Sequence, residues 1–149
     1  MDKKRIKNGR KKPYNLKTIF IGNEMFGGWQ IGHTDPVTYA KKYDQFVKAL
    51  KKINNKLRFI AVGACSDHFG HWNEQVLKNI REKIDELSVH YYSIRTEKDK
   101  NPPNYKTRYL PTVAASTEVR IMLDRTIREI KKYSQKKDFS EKKWFGSTS

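Results

Sequence analysis

An α/β fold, in which helices cover a sheet of parallel strands, is predicted by three features of this 149-residue sequence. Three short apolar runs alternate with segments whose apolar residues recur every three or four positions, which indicates strands alternating with amphipathic helices. The runs are nearly continuously apolar, as is typical of parallel strands buried on both faces. Glycine or polar residues follow each run, where a strand would open into a loop. The predicted order is therefore strand, helix, strand, helix, strand, long loop, helix.

The first strand is predicted at residues 18–21 and ends at Gly22. A glycine-containing loop separates this strand from a helix that we expect to begin at Asp35-Pro36. Aspartate is a favourable N-cap because its carboxylate accepts backbone N–H groups, and proline fits the first helical position. The helix is expected to end at Asn54-Asn55 and to bury one apolar face as part of the core. That face comprises Tyr39, Tyr43, Phe46, Leu50 and Ile53.

The second and third strands are predicted at residues 57–63 and 87–92, with a helix between them. An apolar residue recurs at every fourth position of that helix, at Trp72, Val76, Ile80 and Ile84. Residues 93–115 contain adjacent prolines and are expected to form a long loop. The last helix is expected to begin near Ser116 and to continue to about Gln135. Its apolar stripe comprises Val119, Met122, Leu123, Ile127, Ile130 and Tyr133.

Three strands are few for an independent α/β domain, because both faces of a parallel sheet need covering and its outer strands leave open edges. We predict that residues 19–22, 58–63 and 87–91 form adjacent parallel strands in that order. The sheet then belongs to something larger. With two open edges, the chain is expected to be poorly soluble alone, or to pair with itself or with the complementary pieces of the larger sheet.

The net charge of +16 arises from 32 Lys and Arg against 16 Asp and Glu, and most of it lies towards the two ends. Such a charge attracts polyanions. Lysine nevertheless outnumbers arginine by 23 to 9, whereas proteins that read nucleic acids rely on arginine. A solvated, lysine-rich surface is therefore the first interpretation. The alternative, a non-catalytic basic module that binds nucleic acid or another polyanion, stays open.

Three regions are expected along the chain: a basic lead-in without a core face at 1–16, a folded α/β region at 17–135, and a basic, disordered tail at 136–149. The sequence has no run of eighteen apolar residues, so no membrane-spanning helix is expected. No apolar segment follows the charged first residues, which argues against a secretory signal. Cys65, the single cysteine, excludes an internal disulfide framework. Together these features predict a soluble cytoplasmic protein.

Polar side chains follow the first and third strands. Asn23-Glu24 comes after the first strand, and His90 and Tyr92 lie at the end of the third. Taken alone, Asn23-Glu24 could be a polar turn and His90 a core histidine. The carboxyl ends of parallel strands meet at one edge, where α/β folds place their sites. We therefore expect Glu24 and Tyr92 to share that edge with Ser66, which follows the second strand.

The segment that carries this chemistry resembles a known family. Residues 21–33, Ile-Gly-Asn-Glu-Met-Phe-Gly-Gly-Trp-Gln-Ile-Gly-His, resemble the segment around the acid/base glutamate of glycoside hydrolase family 51. Those enzymes are α-L-arabinofuranosidases built on a TIM (β/α)8 barrel. The resemblance covers about residues 8–135 and includes the second strand and the Leu-Ser-Val-His-Tyr-Tyr of the third. It implies a partial TIM barrel, in which three parallel strands with flanking helices correspond to barrel strands four to six.

The resemblance also implies a role for each site residue. Glu24 would be the general acid/base, which protonates the departing glycosidic oxygen and then deprotonates the attacking water. Asn23 would hydrogen-bond the sugar hydroxyl next to the anomeric carbon. His90 and Tyr92 would line the site from barrel strand six, with Tyr92 near the nucleophile. Trp29 would form a wall of the pocket.

A retaining glycosidase needs a second carboxylate as the nucleophile, which in this family follows the last of these helices on barrel strand seven. Here the nearest counterpart is Glu141, which lies among charged residues and follows no apolar run. The resemblance therefore implies a fragment of a retaining α-L-arabinofuranosidase that carries the acid/base but lacks the nucleophile, so the isolated chain is expected to be inactive. The implied substrates are terminal α-L-arabinofuranosyl residues of arabinose-containing polysaccharides, with no cofactor.

The histidines in the loops do not predict a metal site. His68 and His71 have a spacing that a ligand pair can use, and His33 lies in another loop, but no matching cysteines or carboxylates accompany them. Cys65 follows the second strand, where a small, partly buried thiol is a more ordinary interpretation than a nucleophile.

Overall fold

Three parallel strands form one sheet in the order β1–β2–β3, with β1 at Thr18–Phe20, β2 at Arg58–Val62 and β3 at Glu86–Ser88. The structure is a computed structural model that describes residues 2–65, 69, 71–92 and 109–134. The helices are α1 (Asp2–Lys7), α2 (Pro36–Ile53), α3 (Trp72–Asn79) and α4 (Leu110–Ser134). The predicted strand order and parallel pairing are confirmed.

The core lies between the sheet and helices α2 and α3. Its largest fully buried side chains are those of Trp72, Tyr43, Phe59, Ile80, Val47, Val62 and Val76. Helix α4 packs on α3 and contributes Ile130 to the same cluster. Helix α1 lies in the basic lead-in and was not predicted from the sequence, and its Ile6 is half exposed. No helix in the described ranges combines the length and the hydropathy needed to cross a bilayer.

Helix α2 begins as predicted. The Asp35 carboxylate accepts hydrogen bonds from the backbone N–H groups of Val37 (3.0 Å) and Thr38 (2.9 Å), and Pro36 occupies the first helical position. These bonds satisfy donors that the helix itself leaves unpaired.

The predicted buried face of α2 is wrong at two positions. Phe46 and Ile53 are 57% and 82% exposed. The helix instead buries Val47 and Asp44. Asp44 faces inward because its carboxylate accepts hydrogen bonds from the backbone N–H groups of Arg81 and Glu82 at 2.9–3.1 Å. A polar residue with such partners can be buried, and the apolar pattern alone does not reveal it.

Helix α3 ends at Asn79, earlier than its apolar spacing predicts. Ile80 and Ile84 are buried, but they lie in the connection to β3. Strand β3 is likewise shorter than the predicted 87–92. The start of α4 at Leu110 is six residues before the predicted Ser116, with Pro111 in its first turn, where a helix tolerates proline.

Side chains of the helices hold the carboxyl ends of β1 and β2 in place. The Tyr39 hydroxyl donates to the backbone oxygen of Ile21 and accepts from the backbone N–H of Val62, both at 2.8 Å. The Trp72 indole donates to the Val62 oxygen at 2.9 Å. Asn73 pairs with both backbone groups of Ala64. The loops that follow these strands therefore start from fixed points.

Candidate active site

The loop between β1 and α2 begins with two left-handed backbone conformations. Gly22 has φ 98° and Glu24 has φ 45°. Glycine adopts positive φ readily, whereas a residue with a Cβ does so at a cost of about 1 kcal/mol or more. Strain of this kind is concentrated at functional sites. It directs attention to Glu24.

Three consecutive turns shape the rest of this loop. The backbone N–H groups of Gly27, Gln30 and His33 donate to the oxygens three residues earlier, at 2.8, 3.0 and 3.2 Å. A fourth bond, from Thr34 N–H to the Met25 oxygen at 3.0 Å, closes the loop. Residues 24–34 are thus ordered by their own backbone rather than by a helix or a strand.

Two side chains hold the Glu24 carboxylate. His90 Nδ1, beyond the end of β3, lies 3.0 Å from Glu24 Oε1. The Trp29 indole Nε1 donates to Glu24 Oε2 at 2.8 Å. The Glu24 side chain is 14% exposed, so it opens to solvent over a small area only. The expectation that polar residues after β1 and β3 lie at one edge of the sheet holds for Glu24 and His90.

An aromatic cluster stands beside the carboxylate. Phe26 packs on Phe69 with ring centroids 4.3 Å apart, and Trp29 lies edge-on to both at 6.3 and 6.2 Å. Phe26 also contacts the core residue Trp72 at 5.7 Å. Trp29 is 64% exposed, so much of its side chain is accessible to a ligand. Aromatic faces of this kind are suited to the apolar face of a sugar ring.

The structure does not bring every predicted site residue to the carboxylate. Asn23 and Tyr92 are exposed, and among the described residues neither is hydrogen-bonded to Glu24. Gln30, by contrast, was not predicted in the site, and its side chain contributes to lowering the pKa of Glu24. Phe26 and Phe69 were missed too, although Phe26 lies two residues after the glutamate. Ser66 and Glu141 lie outside the described residues.

Partial burial raises the pKa of Glu24, but the groups around the carboxylate lower the pKa by more than burial raises it. The carboxylate is favoured by the hydrogen bonds from His90 and Trp29. The imidazole in its protonated form and the Gln30 side chain favour it as well. The resulting pKa lies below the ordinary value of 4.5. In this arrangement the carboxylate is the stable form at neutral pH.

Replacing His90 by phenylalanine is expected to raise the pKa of Glu24, because burial is then opposed by fewer hydrogen bonds. An NMR titration of the Glu24 side-chain carbon measures the shift. A carboxyl group with a lowered folded-state pKa stabilises the fold above about pH 4.5, and this stability is lost as the pH falls through the folded pKa. Urea unfolding at pH 7 and in acid should show that loss in the wild type and less of it in His90→Phe.

The matched control is His33→Phe, because His33 Nδ1 contacts the backbone oxygen of Gln30 (3.1 Å) rather than a carboxylate. An unchanged Glu24 titration in His90→Phe, equal to that of the control, would contradict the assigned contact.

The described residues contain no group of three His, Cys, Asp or Glu side chains that could hold a metal ion. His71 is the residue preceding α3, and His68 is outside the described ranges. Cys65 is a partly buried free thiol.

Active sites of α/β barrels lie beyond the carboxyl ends of parallel strands, and glycoside hydrolases of this class have carboxylates there, the position that Glu24 occupies. Comparison with known families gives the same class and makes it specific. Residues 1–109 match the family model described as the alpha-L-arabinofuranosidase 1 domain. The chain therefore belongs to this family of α-L-arabinofuranosidases, and the predicted membership of glycoside hydrolase family 51 is confirmed.

Individual relatives of the chain are also α-L-arabinofuranosidases. The chain is 33% identical over 124 residues to the intracellular exo-alpha-(1->5)-L-arabinofuranosidase 1 of Bacillus subtilis, a match that covers 76% of this chain and 24% of the relative. It is 37% identical over 91 residues to the corresponding enzyme of Bifidobacterium longum, which covers 59% of this chain and 16% of the relative.

Solved structures agree as well. The arabinose complex of the Thermotoga maritima α-L-arabinofuranosidase superposes with a TM-score of 0.72 at 29% identity, over 91% of this chain and 25% of that one. A family 51 α-L-arabinofuranosidase from Bifidobacterium longum gives 0.74 at 27% identity, over 93% and 28%. The chain thus spans about a quarter of the length of its relatives, or less.

Proposed function

We propose that residues 17–135 form strands four to six of an eight-stranded (β/α)8 barrel, and that this segment carries the acid/base half of a retaining α-L-arabinofuranosidase site. The observation that carries the proposal is the Glu24 carboxylate, held by His90 from one strand end and by Trp29 from its own loop. Support for the barrel comes from the parallel order β1–β2–β3 and from the superposition on family 51 enzymes.

In the proposed reaction, Glu24 donates a proton to the glycosidic oxygen as the bond to the anomeric carbon breaks. A second carboxylate, about 5–5.5 Å away in retaining enzymes, attacks that carbon and forms a glycosyl-enzyme. Glu24 then removes a proton from the water that releases arabinose. Both steps need Glu24 at the edge of the sheet, where its strained backbone and two hydrogen-bond donors hold it.

The nucleophilic carboxylate is proposed to lie outside residues 17–135. Among the described residues, the contacts of Glu24 are with a histidine, a tryptophan and a glutamine, which all favour its ionised form. A general acid must instead hold its proton near neutral pH. A nearby second carboxylate raises the pKa of the first by charge repulsion, so the lowered pKa of Glu24 is consistent with half of a site.

The roles proposed for the remaining site residues extend those that the family implies. Trp29 would form the wall on the leaving-group side, next to the proton donor. His90 would orient the Glu24 carboxylate. Asn23 and Tyr92 are proposed to contact the sugar and the nucleophile, for which their exposure leaves room.

The proposed substrates are the terminal α-L-arabinofuranosyl residues of arabinose-containing oligo- or polysaccharides, by analogy with the exo-alpha-(1->5)-L-arabinofuranosidases named above. Those relatives are named intracellular, which supports a cytoplasmic site of action. The complementary barrel strands, or another copy of the chain, are the proposed protein partners at the open edges of the sheet. The basic regions 1–16 and 136–149 are proposed to flank the catalytic part.

A basic, non-catalytic module is the second candidate, because the net charge is +16. Binding to a polyanion would weaken steeply with salt and would not depend on Glu24. Fluorescence titration with a polyanion at 50 and 200 mM salt, for the wild type and Glu24→Gln, separates the two candidates. The module is favoured if the polyanion binds in a salt-sensitive way that does not depend on Glu24, and if a graft of this chain into a complete arabinofuranosidase is inactive.

The proposed function is tested by grafting. The isolated chain should hydrolyse aryl α-L-arabinofuranosides at no more than the background rate, because only one of the two carboxylates is in place. In the graft, residues 17–134 of this chain replace the matching quarter of the Thermotoga maritima enzyme. This graft should be a hydrolase. A folded graft without turnover would contradict the proposal. If that graft is insoluble, exchange of residues 18–34 alone, β1 and its loop, tests Glu24 in the same way.

A further inference from the structure

Gly27 occupies a buried point in the loop that follows β1. Its backbone N–H donates to the backbone oxygen of Glu24 (2.8 Å), and its own backbone oxygen accepts from the backbone N–H of Gln30 (3.0 Å). Gly27 is therefore shared by two successive turns. Its φ is not in the left-handed range that Gly22 and Gly32 adopt. The backbone conformation therefore does not require glycine at this position.

The Trp29 side chain is what requires it. A Cβ added to Gly27 would lie 2.4 Å from Cε2 and Cζ2 of the indole and 2.8 Å from Cδ2. Carbon atoms do not approach so closely, so the indole would have to leave its place. The neighbouring Gly28 differs sharply, because a Cβ there meets no atom within 4 Å.

The position of the indole is what links it to Glu24. The Trp29 indole packs against Gly27, and its Nε1 donates to Glu24 Oε2 at 2.8 Å. The indole ring lies edge-on to Phe26 and Phe69. Because Trp29 is 64% exposed, few other contacts hold the ring in place. A shift of the indole by the width of a methyl group would break the hydrogen bond to Glu24.

We propose that Gly27 is a positioning residue for the acid/base: its missing side chain lets the Trp29 indole lie across the loop and hold the Glu24 carboxylate. This inference deepens the proposed function and rests on it for the meaning of Glu24. Gly27 itself touches neither substrate nor reacting atoms. It acts through Trp29 alone, which distinguishes it from a glycine needed for the turn.

The test compares Gly27→Ala with Gly28→Ala in the whole chain. The first readout is the indole N–H signal of Trp29 in a proton–nitrogen NMR spectrum, assigned by its absence in Trp29→Phe. The second is the pKa of Glu24 from NMR titration. In Gly27→Ala we expect the indole signal to move to the position of a solvent-bonded N–H and the pKa to rise towards that of Trp29→Phe. Gly28→Ala should leave both as in the wild type.

A wild-type indole signal and a wild-type Glu24 titration in Gly27→Ala would overturn the inference. If Gly27→Ala is too unstable to titrate, the same substitution is made in a Trp29→Ala variant and its effect on the free energy of unfolding is measured. With the indole removed, the added methyl group has room, so Gly27→Ala should then destabilise the chain much less than it does beside the intact indole. Equal destabilisation in both backgrounds would show that the turn needs glycine and would overturn the inference.

Neither readout requires turnover, so the inference and the proposed function fail separately. An inactive graft with the expected NMR shifts would remove the enzyme proposal and keep the coupling between Gly27, Trp29 and Glu24. An active graft with no shifts in Gly27→Ala would do the reverse.

Discussion

Glu24→Ala in the active graft is expected to lower kcat/KM for a substrate with a poor leaving group by about 10²–10⁴-fold, which is the range that general acid catalysis contributes. An alkoxide leaving group, whether a simple alcohol or a sugar, leaves slowly unless it is protonated as the bond breaks. A dinitrophenolate needs little protonation, so kcat/KM for that substrate should change far less. Steady-state rates on a series of aryl and alkyl α-L-arabinofuranosides measure the dependence on leaving-group pKa.

The same variant should lower kcat on the activated substrate, since the proposed mechanism has Glu24 deprotonate water in the second step as well. The glycosyl-enzyme then accumulates and KM falls together with kcat. Asp124→Ala, at an exposed position of α4, is a matched loss of one carboxylate and should leave the rates near the wild type. A uniform loss of activity on all leaving groups in Glu24→Ala would remove the acid/base assignment.

Tyr39→Phe removes a single atom and is expected to lower the free energy of unfolding by about 2–3 kcal/mol. The hydroxyl serves the Ile21 oxygen and the Val62 N–H at once, at 2.8 Å each, and both are buried. Burial raises the pKa of Tyr39 above its ordinary value, so the hydroxyl keeps the proton that it donates. Phenylalanine leaves both backbone groups without a partner in a place that water does not reach.

Tyr43→Phe is the control for that measurement. It removes one hydrogen bond, from the Tyr43 hydroxyl to the Lys83 oxygen at 2.9 Å, in a partly buried site. We expect a loss of about 1 kcal/mol. Urea unfolding of both variants gives the comparison, and equal losses would contradict the bridging role of Tyr39.

The sheet could be predicted from the sequence because its signals are local. Apolar runs in β1 and β2 and the Asp35-Pro36 start of α2 each need only neighbouring residues. The end of α3 could not be predicted in this way. Ile80 and Ile84 continue the spacing of four beyond the last helical residue, because the connection to β3 is itself packed into the core. Asp44 shows the same limit, since its burial depends on backbone donors some 37 residues away in the chain.

The site was predictable in part. The prediction that polar residues beyond β1 and β3 meet at one edge needed only the parallel topology, and it places Glu24 near His90. The hydrogen bond between Trp29 and Glu24 depends on three turns in succession and on the space above Gly27, which no periodicity encodes. Phe69 reaches Trp29 from the loop after a different strand, so sequence proximity gives no signal for it.

Within the part of the chain that the structure describes, β1 and β3 are the edge strands of the sheet, and their direction restricts how the sheet can be completed. A two-fold axis would place two β1 edges, or two β3 edges, against each other in antiparallel fashion, which a parallel barrel excludes. Joining the β3 edge of one copy to the β1 edge of the next keeps the strands parallel but adds them three at a time. Six and nine are multiples of three, and eight is not. If the sheet belongs to an eight-stranded barrel, identical copies of residues 18–88 cannot by themselves supply all five remaining strands, and at least two strands must come from another sequence.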